Sequence, residues 1–331
     1  MMRIFYITRA NLALRRAHTA NIVHTVKALV RQGVFIDIVS KNILWTLFSR
    51  RADYDMVYLR DHRLLLQAWI AKFFLGKKLV YEVHSTHGVL FLRRLLFHVA
   101  DGAVYITRRL KTYYDPQGQK TGVVTHSSGI YLEDFVLQKV REDVRETLAL
   151  PRDAYLLVYA GSTRWYDVGL LVRALARLPQ NTYLVLVGMK EEEARSLRST
   201  IEERHMTSRV IFAGRVPREK IPLYLFATDV LVNPLSANLP GSISSKLYEY
   251  LAAGRPIVSS RGGANDEVLA DGKNALFADM TPESFAQKIQ EIREHPDLAA
   301  RLSTDARTCA ARYTWDERAK AILSMIQTIH D

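Results

Sequence analysis

Ser242-Ile243-Ser244-Ser245-Lys246-Leu247-Tyr248-Glu249-Tyr250-Leu251-Ala252-Ala253-Gly254-Arg255-Pro256-Ile257-Val258-Ser259-Ser260 reads as a capped helix, a stop and a buried strand. Ser244 or Ser245 is placed to cap the helix N-terminus, because a side-chain oxygen there accepts from an otherwise unpaired backbone N–H. Gly254 falls where a left-handed C-terminal residue is wanted, and Pro256 cannot continue the helix. The free amides and positive dipole end of such a helix attract an anion, and Lys246 adds a charge beside them. Glu249 stands four residues after Ser245, one turn along the same face. A diphosphate on the amides would bring a ribose to the Glu249 carboxylate. The plainer reading is a capped helix with Lys246 and Glu249 as surface charges.

Outward from this segment, short apolar strands alternate with amphipathic helices. On the N-terminal side the strands are Arg3–Thr8, Val34–Val39, Met56–Leu59, Leu79–Glu82, Ala103–Ile106 and Val123–His126. Helical stretches such as Thr19–Arg31 and Arg63–Leu75 lie between them. Leu150-Pro151-Arg152-Asp153 is a turn-rich break, after which the pattern restarts at Tyr155–Ala160, Tyr183–Gly188, Val210–Ala213, Val230–Val232 and Pro256–Ser260. Strand–helix repetition of this kind predicts doubly wound parallel sheets, one in residues 1–150 and one beyond. Ligands of such sheets bind past the carboxyl ends of the strands, so two of them predict a shared cleft with one substrate on each side.

The chain has 331 residues, ordinary for two domains, with a net charge of +12. Residues 1–150 hold 23 Lys and Arg against 12 Asp and Glu, while the remainder holds 23 against 22. The excess sits in the first half, which suits an anionic partner or simple solubility. A single cysteine, Cys309, excludes an internal disulfide and favours a reducing compartment. No export signal or membrane-spanning apolar run is evident, so a cytoplasmic protein is expected, soluble or peripheral at the inner membrane face.

Ser-Lys-Leu-Tyr-Glu-Tyr-Leu-Ala-Ala-Gly-Arg-Pro-Ile-Val, residues 245–258, closely resembles the nucleotide-sugar segment of glycosyltransferase family 4. Other pieces follow in the family's order. They are Ile4–Ala10 with Ala17–Asn21, Tyr58-Leu59-Arg60-Asp61, Tyr81-Glu82-Val83-His84 and Ser128-Gly129-Ile130-Tyr131. Beyond them come Tyr159-Ala160-Gly161-Ser162, Gly262-Gly263 with Asp266-Glu267-Val268, and Tyr313-Thr314-Trp315. The resemblance implies a GT-B fold: an acceptor-binding Rossmann-like domain over 1–150, a nucleotide-sugar domain over 151–312, and a helix over 313–331 returning to the first. It implies sugar transfer from a nucleoside-diphosphate sugar, UDP or GDP, with retention at the anomeric carbon and with neither cofactor nor bound metal.

The donor residues so implied are Gly161, Ser162, Ser244, Ser245, Lys246, Leu247 and Glu249. Lys246 and Arg164 would stabilise the leaving diphosphate, and His84 would point at the donor sugar. His87 and His126 are weaker candidates beside His84, and Asn11, His18, Asn21 and Glu82 would meet the acceptor or line the cleft. Two positions depart from the family. Arg164 is the one cation after Gly161, with Tyr166 or Asp167 where a lysine is usual, and Gly241 replaces the first of two glutamates. These departures motivate a rival reading, a non-catalytic sugar-nucleotide or glycan-binding protein.

Asp53-Tyr54-Asp55 has the spacing of a metal-binding acidic pair, but its place before a strand marks a turn. No dinucleotide, Walker or zinc motif occurs, and no nucleic-acid recognition motif accompanies the basic half. Val89–Phe97 is apolar yet carries Arg93 and Arg94. It reads either as a helix packed on the sheet or as a helix on an anionic bilayer, a surface that Trp45, Phe48, Arg50 and Arg51 would extend. On the second reading the acceptor is lipid-linked, in cell-surface polysaccharide or glycolipid synthesis.

Overall fold

The structure, a computed structural model, describes residues 2–13, 17–86, 89–236 and 243–330. From the N-terminus come β1 (Arg3–Ile7), α1 (Ala17–Arg31), β2 (Phe35–Val39), α2 (Ile43–Ser49), β3 (Met56–Leu59) and α3 (Leu65–Phe73). Then follow β4 (Lys78–Val83), α4 (Leu90–Val99), β5 (Gly102–Tyr105), α5 (Arg108–Tyr114) and β6 (Thr121–Val124). These six strands form one parallel sheet in the order β2-β1-β3-β4-β5-β6. The order reverses between β1 and β3, so the crevice for a ligand opens at their carboxyl ends.

The chain continues through α6 (Arg141–Thr147), β7 (Tyr155–Ala160), α7 (Val168–Leu175), β8 (Thr182–Val187), α8 (Glu191–Glu203), β9 (Val210–Gly214) and α9 (Ile221–Ala227). It goes on with β10 (Val230–Asn233), α10 (Ser245–Ala253), β11 (Ile257–Ser260), β12 (Leu276–Ala278), α11 (Pro282–Glu294), α12 (Pro296–Ala310) and α13 (Trp315–His330). The second parallel sheet runs β12-β11-β10-β7-β8-β9, with its reversal between β7 and β10. The strands β3, β10 and β11 are buried along their whole length, as expected where helices cover both sheet faces. Leu157, Leu184, Leu186 and Phe285 lie in the core of the second unit, and Phe5, Leu59, Tyr81 and Phe97 in that of the first.

The chain divides into two compact units. The first takes the chain up to Gly129 and again from Tyr313; the second begins at Ile130 and includes Ser244–Arg312. The boundary read from the sequence at residue 150 is therefore corrected to Gly129–Ile130. Arg145 on α6 gives the reason. Its guanidinium, 2% exposed, donates to the carbonyls of Ala227, Arg152 and Ala154, each at 2.9 Å, and to Asp229 Oδ2 at 2.7 Å. Such a network binds the segment before β7 into the second unit. The turn at Leu150-Pro151 is internal to that unit, and β12, three residues long, escapes a pattern search.

The helix α13 belongs to the first unit and packs on α1, β5 and β6. Two glycines admit it. A β-carbon on Gly129 would stand 2.6 Å from the Trp315 nitrogen, and one on Gly102 would stand 2.9 Å from Met325 Sδ. Among the described residues no helix is long and apolar enough to cross a membrane.

Candidate active site

In the second unit the segment from Ser244 to Ser260 folds beside the carboxyl end of β7. α10 begins after Ser244 and ends at Gly254, which takes φ 60° and ψ 46°. The expected serine cap is absent: Ser244 holds the N-cap position, but its side chain makes no capping bond and instead meets the Tyr166 phenol. The Ser244 carbonyl accepts from Leu247 N at 3.1 Å. Leu247 is fully buried, so neither its side chain nor its amide is presented to a ligand. Tyr250 pins the helix to the sheet, its hydroxyl accepting from Ala160 N at 2.8 Å at the end of β7.

Lys246 is the unusual group. It is 7% exposed, and its Nζ has no hydrogen-bond partner among the described residues. The Nζ stands 3.2 Å from the Tyr166 ring centroid and 4.0 Å from that of Tyr159. Burial drives its pKa well below the usual lysine range, against the opposing pull of Glu249. An ammonium without a counter-ion in such surroundings is costly, and an incoming anion relieves the cost. Gly161, at φ 130°, closes the other side; a β-carbon there would lie 3.8 Å from the Lys246 Nζ. Its own amide donates to Val187 O at 2.8 Å, so Gly161 contributes open space and not a donor.

Glu249 lies one turn further on, its side chain 21% exposed and 3.9 Å from Arg218. Burial raises its pKa and Asp134 adds to the rise, while Arg218 and Lys246 oppose it. Ser162 is exposed, and its carbonyl accepts from the Tyr159 hydroxyl at 2.6 Å. Thr163 N donates to Glu193 Oε1 at 2.8 Å, which ties the loop after β7 to α8. Arg164 stands on this loop, exposed, its guanidinium 4.9 Å from the Trp165 ring centroid. Ser245 is the exposed first residue of α10.

In the first unit the carboxyl ends of β1, β3 and β4 surround a cavity of 360 Å³, lined by Thr8, Arg60, Asp61, His84 and Arg93 among others. Glu82, one of the residues expected to meet an acceptor, is 2% exposed and faces inward. Its carboxylate accepts from Arg318 Nη2 at 2.7 Å, from the Tyr58 hydroxyl and from His84 Nε2. Burial would raise its pKa, but Arg318 and then His84 outweigh it and hold Glu82 ionised. An ionised carboxylate only accepts, so the His84 Nε2 carries the hydrogen and Nδ1 is left as an acceptor. Burial, with Arg60 adding, pushes His84 down to about 4, so it is neutral at pH 7.

The other first-unit candidates hold the fold together. Asn21 donates to Ser127 O at 3.0 Å and accepts from Ser128 Oγ at 3.3 Å. Asn11 accepts from Ala13 N at 3.1 Å in a local turn. His126 is buried and bonds the Thr314 carbonyl at 3.0 Å, anchoring the entry to α13. Asp53 pairs with Arg50 at 2.8 Å and Asp55 accepts from Arg3 N at 2.9 Å, the turn roles read for them. The His18 side chain, His87 and Gly241 lie outside the described residues. Tyr159, Tyr166, Glu193 and Arg218 escape sequence reasoning, for their roles arise from loops meeting. Tyr166, one of the two residues read where a family lysine is usual, is the one whose position gave a signal.

A sequence profile of Glycosyl transferases group 1 matches residues 140–308. A D-inositol 3-phosphate glycosyltransferase of Xylanimonas cellulosilytica is 28% identical over 190 residues, 56% of this chain and 45% of that protein. An uncharacterized glycosyltransferase of Methanocaldococcus jannaschii is 23% identical across 83% of this chain and 76% of its own. The chain spans about half the length of the first of these relatives. Among solved structures, the Anabaena protein HepE in complex with UDP superposes with a TM-score of 0.82 at 16% identity, covering 99% of this chain and 100% of that one. Sucrose-phosphate synthase from Thermosynechococcus elongatus gives 0.78 at 18% identity, covering 99% of each. The two parallel six-stranded sheets with flanking helices are thus those of the GT-B fold. With half of its length matched by the profile, a stretch that includes Lys246 and Glu249 on α10, the chain belongs to the glycosyl transferases group 1 family.

Proposed function

We propose that the chain is a glycosyltransferase that moves a sugar from a nucleoside-diphosphate sugar to a saccharide or lipid-linked acceptor. The observation that carries this is the buried, unpartnered Lys246 amine beside the N-terminus of α10, with Glu249 one turn away. A diphosphate supplies the missing counter-charge, first-turn amides add donors, and the Glu249 carboxylate accepts from ribose hydroxyls. UDP is the favoured base carrier, since the structural neighbour HepE binds UDP and, in another crystal, UDP-glucose.

The transfer proceeds with retention and without a bound metal. Lys246, aided by Arg164 on the exposed loop after β7, stabilises charge developing on the leaving group. The neutral His84 hydrogen-bonds a sugar hydroxyl through Nδ1. The diphosphate oxygen that leaves takes the acceptor proton, so no separate base is required. The setting is the cytoplasm, at the inner face of the membrane where the acceptor is lipid-linked, in polysaccharide or glycolipid synthesis. A core-lipopolysaccharide glycosyltransferase of Rhizobium meliloti, 34% identical over 134 residues, 40% of this chain and 37% of that protein, supports such a setting.

Calorimetry against UDP, GDP, ADP and TDP, with and without magnesium, tests the donor site. Selective, magnesium-independent binding that Glu249→Ala weakens is the expected result. Absence of binding to every nucleotide would sink the assignment.

A further inference from the structure

The outward side of α2, α3 and α4 is not composed like a water-facing surface. Each helix packs one face on its sheet, through Leu47, through Ala68 and Ala71, and through Leu96 and Phe97. Each carries a second apolar set on the other side. On α3, Leu66, Trp69 and Phe73 recur at three- and four-residue spacing, 59%, 43% and 57% exposed, and Phe74 follows at 69%. On α2, Trp45 is 70% exposed, and on α4, Phe91 is 73% exposed. The Trp69 ring stands 5.4 Å from Phe73 and 5.5 Å from Phe74, an aromatic cluster open to solvent. A helix with one apolar stripe faces a core, whereas one apolar all round has apolar surroundings on both sides. α2 packs on α3 and α3 on α4, so the three outer faces adjoin.

Charge identifies what covers them. The three helices carry Lys72, Arg93 and Arg94 and no Asp or Glu. Across residues 41–99 there are ten Lys and Arg against four Asp and Glu. A second copy of the chain would set this basic face against itself. An anionic bilayer satisfies both features, aromatic side chains entering the acyl boundary and arginines remaining among headgroup phosphates.

We propose that this face seats the first unit on an anionic lipid bilayer, with Trp45, Trp69, Phe73, Phe74 and Phe91 as the inserted side chains. The inference deepens the reading of a lipid-linked acceptor and rests on it for its purpose, but its test reads lipid and not turnover.

The full chain is sedimented with vesicles of phosphatidylglycerol and phosphatidylcholine, and with phosphatidylcholine alone. Binding about ten-fold or more tighter to the anionic vesicles, weakened by salt, is expected. Brominated acyl chains should quench tryptophan emission, and Trp45→Phe with Trp69→Phe should remove most of the quenching. Trp69→Ser with Phe73→Ser should weaken vesicle binding about ten-fold or more while leaving the melting temperature and UDP affinity in place. No association at low salt, or association that this double variant leaves unchanged, overturns the inference. So does a dimer, formed without lipid, that the double variant dissociates, for the face then belongs to a second copy. UDP binding without vesicle binding would overturn this inference alone; vesicle binding without nucleotide binding would overturn the donor-site reading alone.

Discussion

Lys246 combines properties that a purely structural lysine does not need. Replacing it with Met removes a buried amine lacking a partner and keeps the volume, so Lys246→Met should hold or raise the melting temperature. The same change should weaken UDP about ten-fold or more, seen by calorimetry. A variant that loses stability and keeps UDP affinity would place Lys246 in the core only. His84 and His126 set a second expectation at this scale. Burial pushes them down to about 4 and about 3, against an ordinary value near 6.5. Each is neutral when folded and takes a proton when unfolded below that ordinary value. The stabilisation is fully present above it and declines as pH falls towards each folded value. Between pH 7 and pH 5 the loss should be about 2 kcal/mol per histidine, measured by denaturant unfolding, and His84→Gln should remove its share. The serine cap shows where residue-level reading stops. Ser244 is at the predicted position, but its hydroxyl is taken by Tyr166, which lies 78 residues earlier in sequence and offers no local signal.

At the scale of elements, glycines decide how closely α13 approaches its sheet. Gly129→Ala would place a β-carbon 2.6 Å from the Trp315 backbone nitrogen, a contact no side-chain rotation relieves. A loss of about 1–3 kcal/mol is expected from thermal or urea unfolding, and an unchanged stability would show that the helix can shift. Strands such as Met56–Leu59 and Tyr155–Ala160 were legible to the residue because uninterrupted apolar runs bounded by turns belong to covered parallel sheets. Helix α3 was legible as a helix but not as a two-faced one. Apolar residues on all sides are recorded equally in the sequence, and only the structure separates Ala68 and Ala71, against the sheet, from Trp69 and Phe73, in solvent.

At the scale of the molecule, a run from β1 to β6 and a second from β7 to β11 follow from the alternating pattern, and that much of the fold is written locally. The division between units is not. Leu150-Pro151 looks like a linker, but the tie that matters is Arg145 to Asp229, 84 residues apart. The pairing of Glu82 with Arg318 is equally invisible, at a separation of 236 residues. Arg318→Met should cost about 3–5 kcal/mol, because it leaves the Glu82 carboxylate buried without its cation. Adding Glu82→Gln should recover part of that loss in the same unfolding measurement; no recovery would mean that Arg318 acts through the Thr25 and His126 contacts instead.

That long separation sets an order of events when the chain is made. The second unit has all its described residues once Arg312 has been synthesised, while the first, begun earlier, still lacks α13. Until Arg318 emerges, the six strands of the first sheet are all present but Glu82 lacks the guanidinium it pairs with at 2.7 Å. The unit that starts first therefore finishes after the second, and its candidate site cannot take shape before Arg318 has left the ribosome.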